Sequence, residues 1–467
     1  MNDAVAAPEF PAGLAWLNLR DPLRMARLRG RVCALALVNL GSGWCQQRLA
    51  DLGHLRARHR DRLQVVVVHV PRFDAERDAK RSAHRVDLQQ YDFPVAHDGD
   101  WTAWQHFGLD AWPTVLLIDG DGQVRERVIG ESGIRDLDAR IGTLLEGLTP
   151  QPLAGDPIRL RRDSEPALPL RFPAGLAVSG DLLYIADCGH HRVLECDARG
   201  RILRQFGSGR AGFIDGPMAL SALTRPHGLC LVRGALYVAD TGNHAVRRID
   251  LRSGEVSTVC GAGRPGRTAV GSLADPRAIA LSGDRLYVAT AGDNRIGQLD
   301  LGQTRVAPLC DSGALGTRDG VGAEAAFAEP VALACVQYTP DVCDAAGSAI
   351  RSVHLPTGQV TTLVGGGPWQ FGAVGGARDD TQLQAPQALA LDPEAPVLWT
   401  ADSGNDTLRQ LRLGGGALST AALPQRLHGS AALAIANGRL WNADTDAHAV
   451  LRLDPSTGAL RQVAVGE

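Results

Sequence analysis

None of the nine cysteines in this 467-residue chain stands in a Cys-x-x-Cys spacing with another. Cys33, Cys45, Cys188, Cys196, Cys230, Cys260, Cys310, Cys335 and Cys343 are scattered and odd in number. That excludes a regular disulfide framework and reads as free thiols in a reducing compartment. The opening residues Met1-Asn2-Asp3-Ala4-Val5 lack the basic-then-apolar order of a signal peptide. No apolar run approaches the roughly 20 residues a membrane span needs. A cytoplasmic location without membrane contact is therefore expected. A strong excess of positive charge is also missing. Although Arg is abundant, the net charge is only -3, which argues against nucleic acid as the partner. Long low-complexity tracts are absent as well, so little of the chain need be disordered.

What is present is size, apolar content and turns. Apolar residues make up 45% of the chain, enough for substantial cores, while 54 Gly and 26 Pro favour a turn-rich β architecture. A chain of this length is expected to form two or three domains.

From about Pro169 the sequence repeats itself. The clearest copy reads Arg225-Pro226-His227-Gly228-Leu229, then Leu236-Tyr237-Val238-Ala239-Asp240-Thr241-Gly242-Asn243-His244, then Val246-Arg247-Arg248-Ile249-Asp250. Others centre on Leu183-Tyr184-Ile185-Ala186-Asp187, Leu286-Tyr287-Val288-Ala289, Leu398-Trp399-Thr400-Ala401-Asp402 and Leu440-Trp441-Asn442-Ala443-Asp444, with a degenerate copy beginning at Glu329-Pro330. Each holds short β-branched runs separated by Gly, Asp and Asn, the mark of antiparallel hairpins. A unit of about 45–55 residues with about four strands is one propeller blade, and six copies predict six blades. The repeat wording resembles the NHL family. Gly-rich connections separate the copies. One of them, Gly261-Ala262-Gly263-Arg264-Pro265-Gly266, matches GxGxxG, but it opens no helix and is broken by Pro265, so no dinucleotide is expected.

The first 148 residues read differently. Val32 to Leu40 and Leu63 to Val70 are near-continuous apolar runs, as in strands covered on both faces. Between them Trp44-Cys45 precedes Leu49, Leu52 and Leu55 at helical spacing, a polar helix is expected around Ala75–Val86, and Trp112-Pro113 leads into a further strand. This order resembles the thioredoxin fold, and the resemblance implies that Pro113 is a cis proline facing the redox loop. Phe10-Pro11, Gly30-Arg31-Val32, Val68-His69-Val70-Pro71-Arg72-Phe73-Asp74-Ala75-Glu76 and Phe93-Pro94-Val95 extend the likeness to proteins that join a thioredoxin-like domain to an NHL propeller. The expected division is a thioredoxin-like α/β domain over 1–148, a linker over 149–168 and an all-β six-bladed NHL propeller over 169–467.

Relatives in that family carry two cysteines at the start of the helix, the first attacking and the second resolving the mixed disulfide. Here Cys45 stands alone. In one register Cys45 is the attacking thiol and Arg48 replaces the resolving one. In the gapless register, which we favour, Cys45 is the resolving thiol and Ser42 replaces the attacking one. Either way one sulfur cannot form the internal disulfide, and Cys33, at the far end of an extended run, is too distant to help. His69, at a strand end, is expected to pack beside this loop.

Three functions follow as expectations. The first is a scaffold that holds protein partners on the propeller faces and is not a conventional dithiol oxidoreductase. The second is a monothiol redox protein acting through Cys45. The third is a hydrolase or lyase centred in the propeller, which would draw on His227 and His428, expected at equivalent blade starts, and on His190, His191 and His244 in blade turns. Such histidines are also ordinary residues of the repeat, and neither a cofactor nor a metal is expected.

Overall fold

The computed structural model describes residues 5–130, 133–148, 158–161, 168–266, 273–309 and 312–466. Cys310 and most of the expected linker fall outside them. The chain divides into two compact units, Met1–Pro166 and Ala167–Glu467.

The first unit is an α/β sandwich. Its strands are β1 (Val5–Ala6), β2 (Ala15–Trp16), β3 (Val32–Val38), β4 (Leu63–His69), β5 (Val95–His97), β6 (Thr114–Ile118) and β7 (Gln123–Ile129), in the sheet order β1-β7-β6-β3-β4-β5-β2. Strands β3, β4 and β5 are parallel, while β6 runs antiparallel to β3. Every residue of β3 and β4 is buried, which explains why both read as near-continuous apolar runs rather than alternating ones. Helices α1 (Gly43–His59), α2 (Ala79–Gln89), α3 (Thr102–His106) and α4 (Ile134–Glu146) complete the unit. On one face Leu49, Leu52 and Leu55 of α1 and Leu137, Ile141 and Leu145 of α4 pack against Ala34, Ala36 and Val65. The polar helix begins later than its pattern implied. Residues Asp74–Arg77 form a 3-10 turn, and Asp78 then caps α2 by accepting the Lys80 N–H. Ile158 and Leu160, inside the expected linker, pack against the apolar cluster on the sheet's other face.

The second unit is a six-bladed β-propeller. The inner strands of the blades are Pro173–Ser179, Pro226–Val232, Pro276–Ser282, Pro330–Val336, Pro386–Leu391 and Ala432–Ala436. Each begins a run of four consecutive antiparallel strands, and in blades 2 and 4 the short strands Gly216–Pro217 and Gly320–Val321 add a fifth at the outer edge. A single blade leaves both faces bare, so the cores form between blades. Leu176, Leu183 and Ile185 of blade 1 meet Trp441, Ala443 and Val450 of blade 6. The ring is closed there by Thr445 Oγ1 donating to Pro173 O at 2.8 Å and by Phe172 N donating to His448 Nδ1 at 3.1 Å.

The Gly-rich connections are held by buried arginines. Arg247 is fully buried and bonds Asp240 (2.8 Å), Asp215 (2.6 Å), Ala222 O (3.1 Å) and Ile214 O (2.9 Å). Arg351 repeats the arrangement with Asp344 and Asp319, and Arg409 with Asp402 and Val374 O. Each ties a connecting loop to the third strand of a blade. The Gly261–Gly266 motif lies at such a connection, after a strand ending at Gly261, and none of its own residues is helical.

Candidate functional site: the loop before the first helix

One end of the first unit's sheet gathers Cys45, His69, His97 and Pro113. Register pairs Val38 with His69 and His69 with His97, so β3, β4 and β5 end side by side. Thr114 pairs with Leu37, which brings Pro113 to the same end, and the Trp112–Pro113 peptide is cis. In open α/β sheets this end, beyond the carboxyl ends of the strands, is where ligands bind.

The loop from Asn39 to Ser42 is pinned at almost every backbone group. Asn39 N donates to Cys45 Sγ (3.3 Å), Leu40 N to His69 Nδ1 (3.1 Å) and Gly41 N to Asn39 Oδ1 (2.8 Å). Gln46 Nε2 donates to Leu40 O at 2.7 Å. Because His69 Nδ1 accepts, its proton sits on Nε2. Burial pushes the His69 pKa down to about 4, which keeps the ring neutral for that role. The Asn39 amide donates to Glu76 Oε2 at 2.7 Å, and the same oxygen accepts Arg72 N at 2.8 Å. Burial opposes the Glu76 charge. The Arg85 charge and these two donors outweigh it, so its pKa falls below the ordinary value. A Cβ at Gly41 would collide with the Glu76 carboxylate and the Arg85 guanidinium, so the close approach needs glycine.

Helix α1 starts immediately after the loop. Ser42 is its N-cap, half-buried, with φ -90° and ψ 127°, and its hydroxyl makes no capping bond. Cys45 lies in the first turn and is fully buried among the core side chains. An attacking sulfur has to be reachable, and of the two positions only Ser42 has solvent access. Arg48, 4% exposed, donates to Gly130 O at 2.9 Å, and Gly130 N donates to Pro113 O at 2.8 Å. Arg48 therefore has a bracing role at this end. Cys33 is buried near the start of β3, with its pKa raised to about 12 by burial. At about 3.3 Å per residue it sits some 16 Å along the strand from Val38.

Ser42, Cys45, Pro113 and His69 thus share one region of the unit. Asn39 and Glu76 were not singled out from the sequence. The usable signal was a polar residue interrupting an apolar run at Asn39. The propeller histidines do other work. His191, His244 and His448 accept backbone N–H groups of the next blade through Nδ1. His227 and His428 are not equivalent, since they lie three positions apart in the blade frame. Among the described residues no group of three or more His, Cys, Asp or Glu side chains is arranged to hold a metal ion.

The NHL repeat family model matches residues 170–196 and 223–249, in the first two blades. Over 97% of its length the chain is 31% identical to SUPPRESSOR OF QUENCHING 1, chloroplastic, from Arabidopsis thaliana, covering 47% of that protein. It is 30% identical to NHL repeat-containing protein 2 of Homo sapiens, over 87% of this chain and 62% of the relative. The thiol-disulfide oxidoreductase YkuV of Bacillus subtilis is 26% identical over 141 residues, 93% of its own length.

The chain is a thioredoxin-like domain joined to an NHL-repeat propeller. It spans 47% and 62% of the two longer relatives. Among the described residues, no helix of either part is long and apolar enough to cross a membrane.

Proposed function

We propose that this protein is a propeller scaffold whose thioredoxin-like domain has lost dithiol exchange. The observation that carries the second half is chemical. The loop offers one sulfur, Cys45, which is fully buried, and a hydroxyl at the accessible position 42. A hydroxyl does not ionise near neutrality and is a poor nucleophile toward sulfur, and a lone thiol has no partner to resolve a mixed disulfide. YkuV is a thiol-disulfide oxidoreductase by name, so the likeness would favour exchange if the second sulfur were present.

Support for the scaffold comes from apolar side chains exposed on the connections between blades. Leu220 is 70% and Trp369 76% exposed, with Ile214, Leu315 and Val374 also open. Where such side chains lie together they mark a protein-contact surface, and on this reading these connections are where a partner is held. In an insulin-reduction assay driven by dithiothreitol, the purified chain should give no turnover above dithiothreitol alone. Turnover at the rate of a dithiol thioredoxin would remove the proposal. For the scaffold, Leu220→Asp with Trp369→Asp should abolish capture of the proteins that the wild-type chain retains. Unchanged capture counts against these connections as the docking surface.

A monothiol reading keeps one favourable observation, the Asn39 N–H directed at Cys45 Sγ, which would stabilise a thiolate. Mass spectrometry after mild peroxide decides it, since unmodified Cys45 excludes that role.

A further inference from the structure

A recurring bond puts the six blades in one frame. The aspartate ending the second strand accepts a backbone N–H just ahead of the inner strand. The pairs are Asp187 with Arg171, Asp240 with Thr224, Asp344 with Ala328, Asp402 with Gln384 and Asp444 with His428. Blade 3 has Thr290 at the aspartate position. The next residue in every blade is left-handed: Phe172, Arg225, Asp275, Glu329, Ala385 and Gly429. Two residues further on come Ala174, His227, Arg277, Val331, Gln387 and Ala431.

Blades 1, 5 and 6 fill both positions with uncharged side chains, so packing requires no charge there. Blades 2, 3 and 4 nevertheless bring Arg225, His227, Asp275, Arg277 and Glu329 to the end of the ring where the inner strands begin. Four of the five form a connected set. Arg277 Nε donates to Asp275 Oδ2 at 3.0 Å, and Arg277 Nη1 lies 2.8 Å from His227 Nε2. His227 Nδ1 is 3.0 Å from Arg225 O and 3.9 Å from Cys188 Sγ. Since Arg277 can only donate, His227 is neutral with its proton on Nδ1, directed at the Arg225 carbonyl. Burial and the Arg277 charge, which hold the His227 pKa near 3, agree with this assignment.

The charges are unevenly matched. Arg277 faces both Asp275 and Glu329. Arg225 is half-buried, has no ion pair among the described residues, and is close enough to act electrostatically on both His227 and Cys188. A partly desolvated guanidinium without a counter-ion is costly, and its planar fork matches a carboxylate or phosphate through two parallel bonds.

We propose that the end of the ring where the inner strands of blades 2 to 4 begin binds a small oxyanion, carboxylate or phosphate, through Arg225, with Arg277 and His227 beside it. This site stands apart from the reading of the thioredoxin-like domain.

The test uses the full chain labelled at histidine. The His227 ring signals, assigned with His227→Gln, are followed by NMR during titration with sodium phosphate and, separately, sodium succinate at constant ionic strength. A saturable His227 shift with either salt is expected, and the salt that produces it identifies the ligand class. Arg225→Gln should weaken binding about tenfold to a hundredfold, as for loss of a charge-assisted bond, with partial recovery in Arg225→Lys. No His227 shift in the folded wild-type chain overturns the proposal even if the variants misfold. An equal shift in a folded Arg225→Gln chain also overturns it.

Discussion

Replacing Ser42 by Cys restores a Cys-x-x-Cys spacing with Cys45, and the geometry indicates what the new thiol should do. The Ser42 hydroxyl makes no capping bond, so exchanging oxygen for sulfur sacrifices none. The site caps a 17-residue helix with no acidic residue in its first turn. The positive end of such a helix stabilises an anion by about 0.3–2 kcal/mol. That lowers an ordinary thiol pKa of about 8.5 to roughly 7–8.3. At pH 7 the thiolate fraction then rises from about 3% to between about 5% and 50%. Positions three apart at a helix start bring their Cβ atoms to about 5–6 Å, which a small adjustment closes to disulfide distance. Ser42→Cys should therefore be alkylated by iodoacetamide at pH 7 while wild-type Cys45, fully buried, is not. After treatment with oxidised glutathione it should also show a disulfide between positions 42 and 45 and gain insulin-reducing activity. Ser42→Cys with Cys45→Ser should keep the fast alkylation and lose the activity. A correctly folded Ser42→Cys chain that neither alkylates nor forms the disulfide would refute the reasoning about this loop.

Three other outcomes are expected. Arg247→Met leaves Asp240 buried without its guanidinium and should cost the propeller about 3–5 kcal/mol. For a unit of about 300 residues that is a fall of roughly 5–8 °C in Tm by calorimetry, and a change below about 1 °C would show that the pair is not a brace. In blade 4, Asp341 stands where other blades have Tyr184, Tyr237, Tyr287, Trp399 and Trp441, and burial raises its pKa to about 6. A carboxylate raised in the fold binds its proton more tightly there than in the unfolded chain, so its contribution to stability falls as pH rises from about 4 through 6. Asp341→Asn should stabilise the chain by about 1–3 kcal/mol at pH 7 and by little at pH 4. Equal effects at both pH values would exclude titration of Asp341. Asn39→Ala removes the bonds to Glu76 and Gly41 N and should cost about 1–3 kcal/mol with faster amide exchange at residues 40–42. Unchanged exchange would mean that the loop is held by other contacts.

Much of the fold is written locally. Near-continuous apolar runs at Val32–Val38 and Leu63–His69 signal strands covered on both faces, and both are. The Tyr-Val-Ala-Asp pattern marks a blade because its aspartate bonds a backbone group only 16 residues away. The sites are less legible because their partners lie far apart in sequence. Asn39 meets Glu76 across 37 residues, and Arg277 meets His227 across 50. His227 and His428 align when blades are matched by their starts. Blade 6, however, has Ser430 where the others have proline, and the bond from Asp444 places His428 three positions earlier.

By itself the sequence determined the number of sulfurs at the redox loop and the number of blades, since covalent composition and periodicity survive in one dimension. Only the tertiary structure decided that Cys45 is buried while Ser42 has solvent access, and that charge gathers on three blades of six. Burial and pairing depend on which distant segments come to share a dry interior, and folding fixes that.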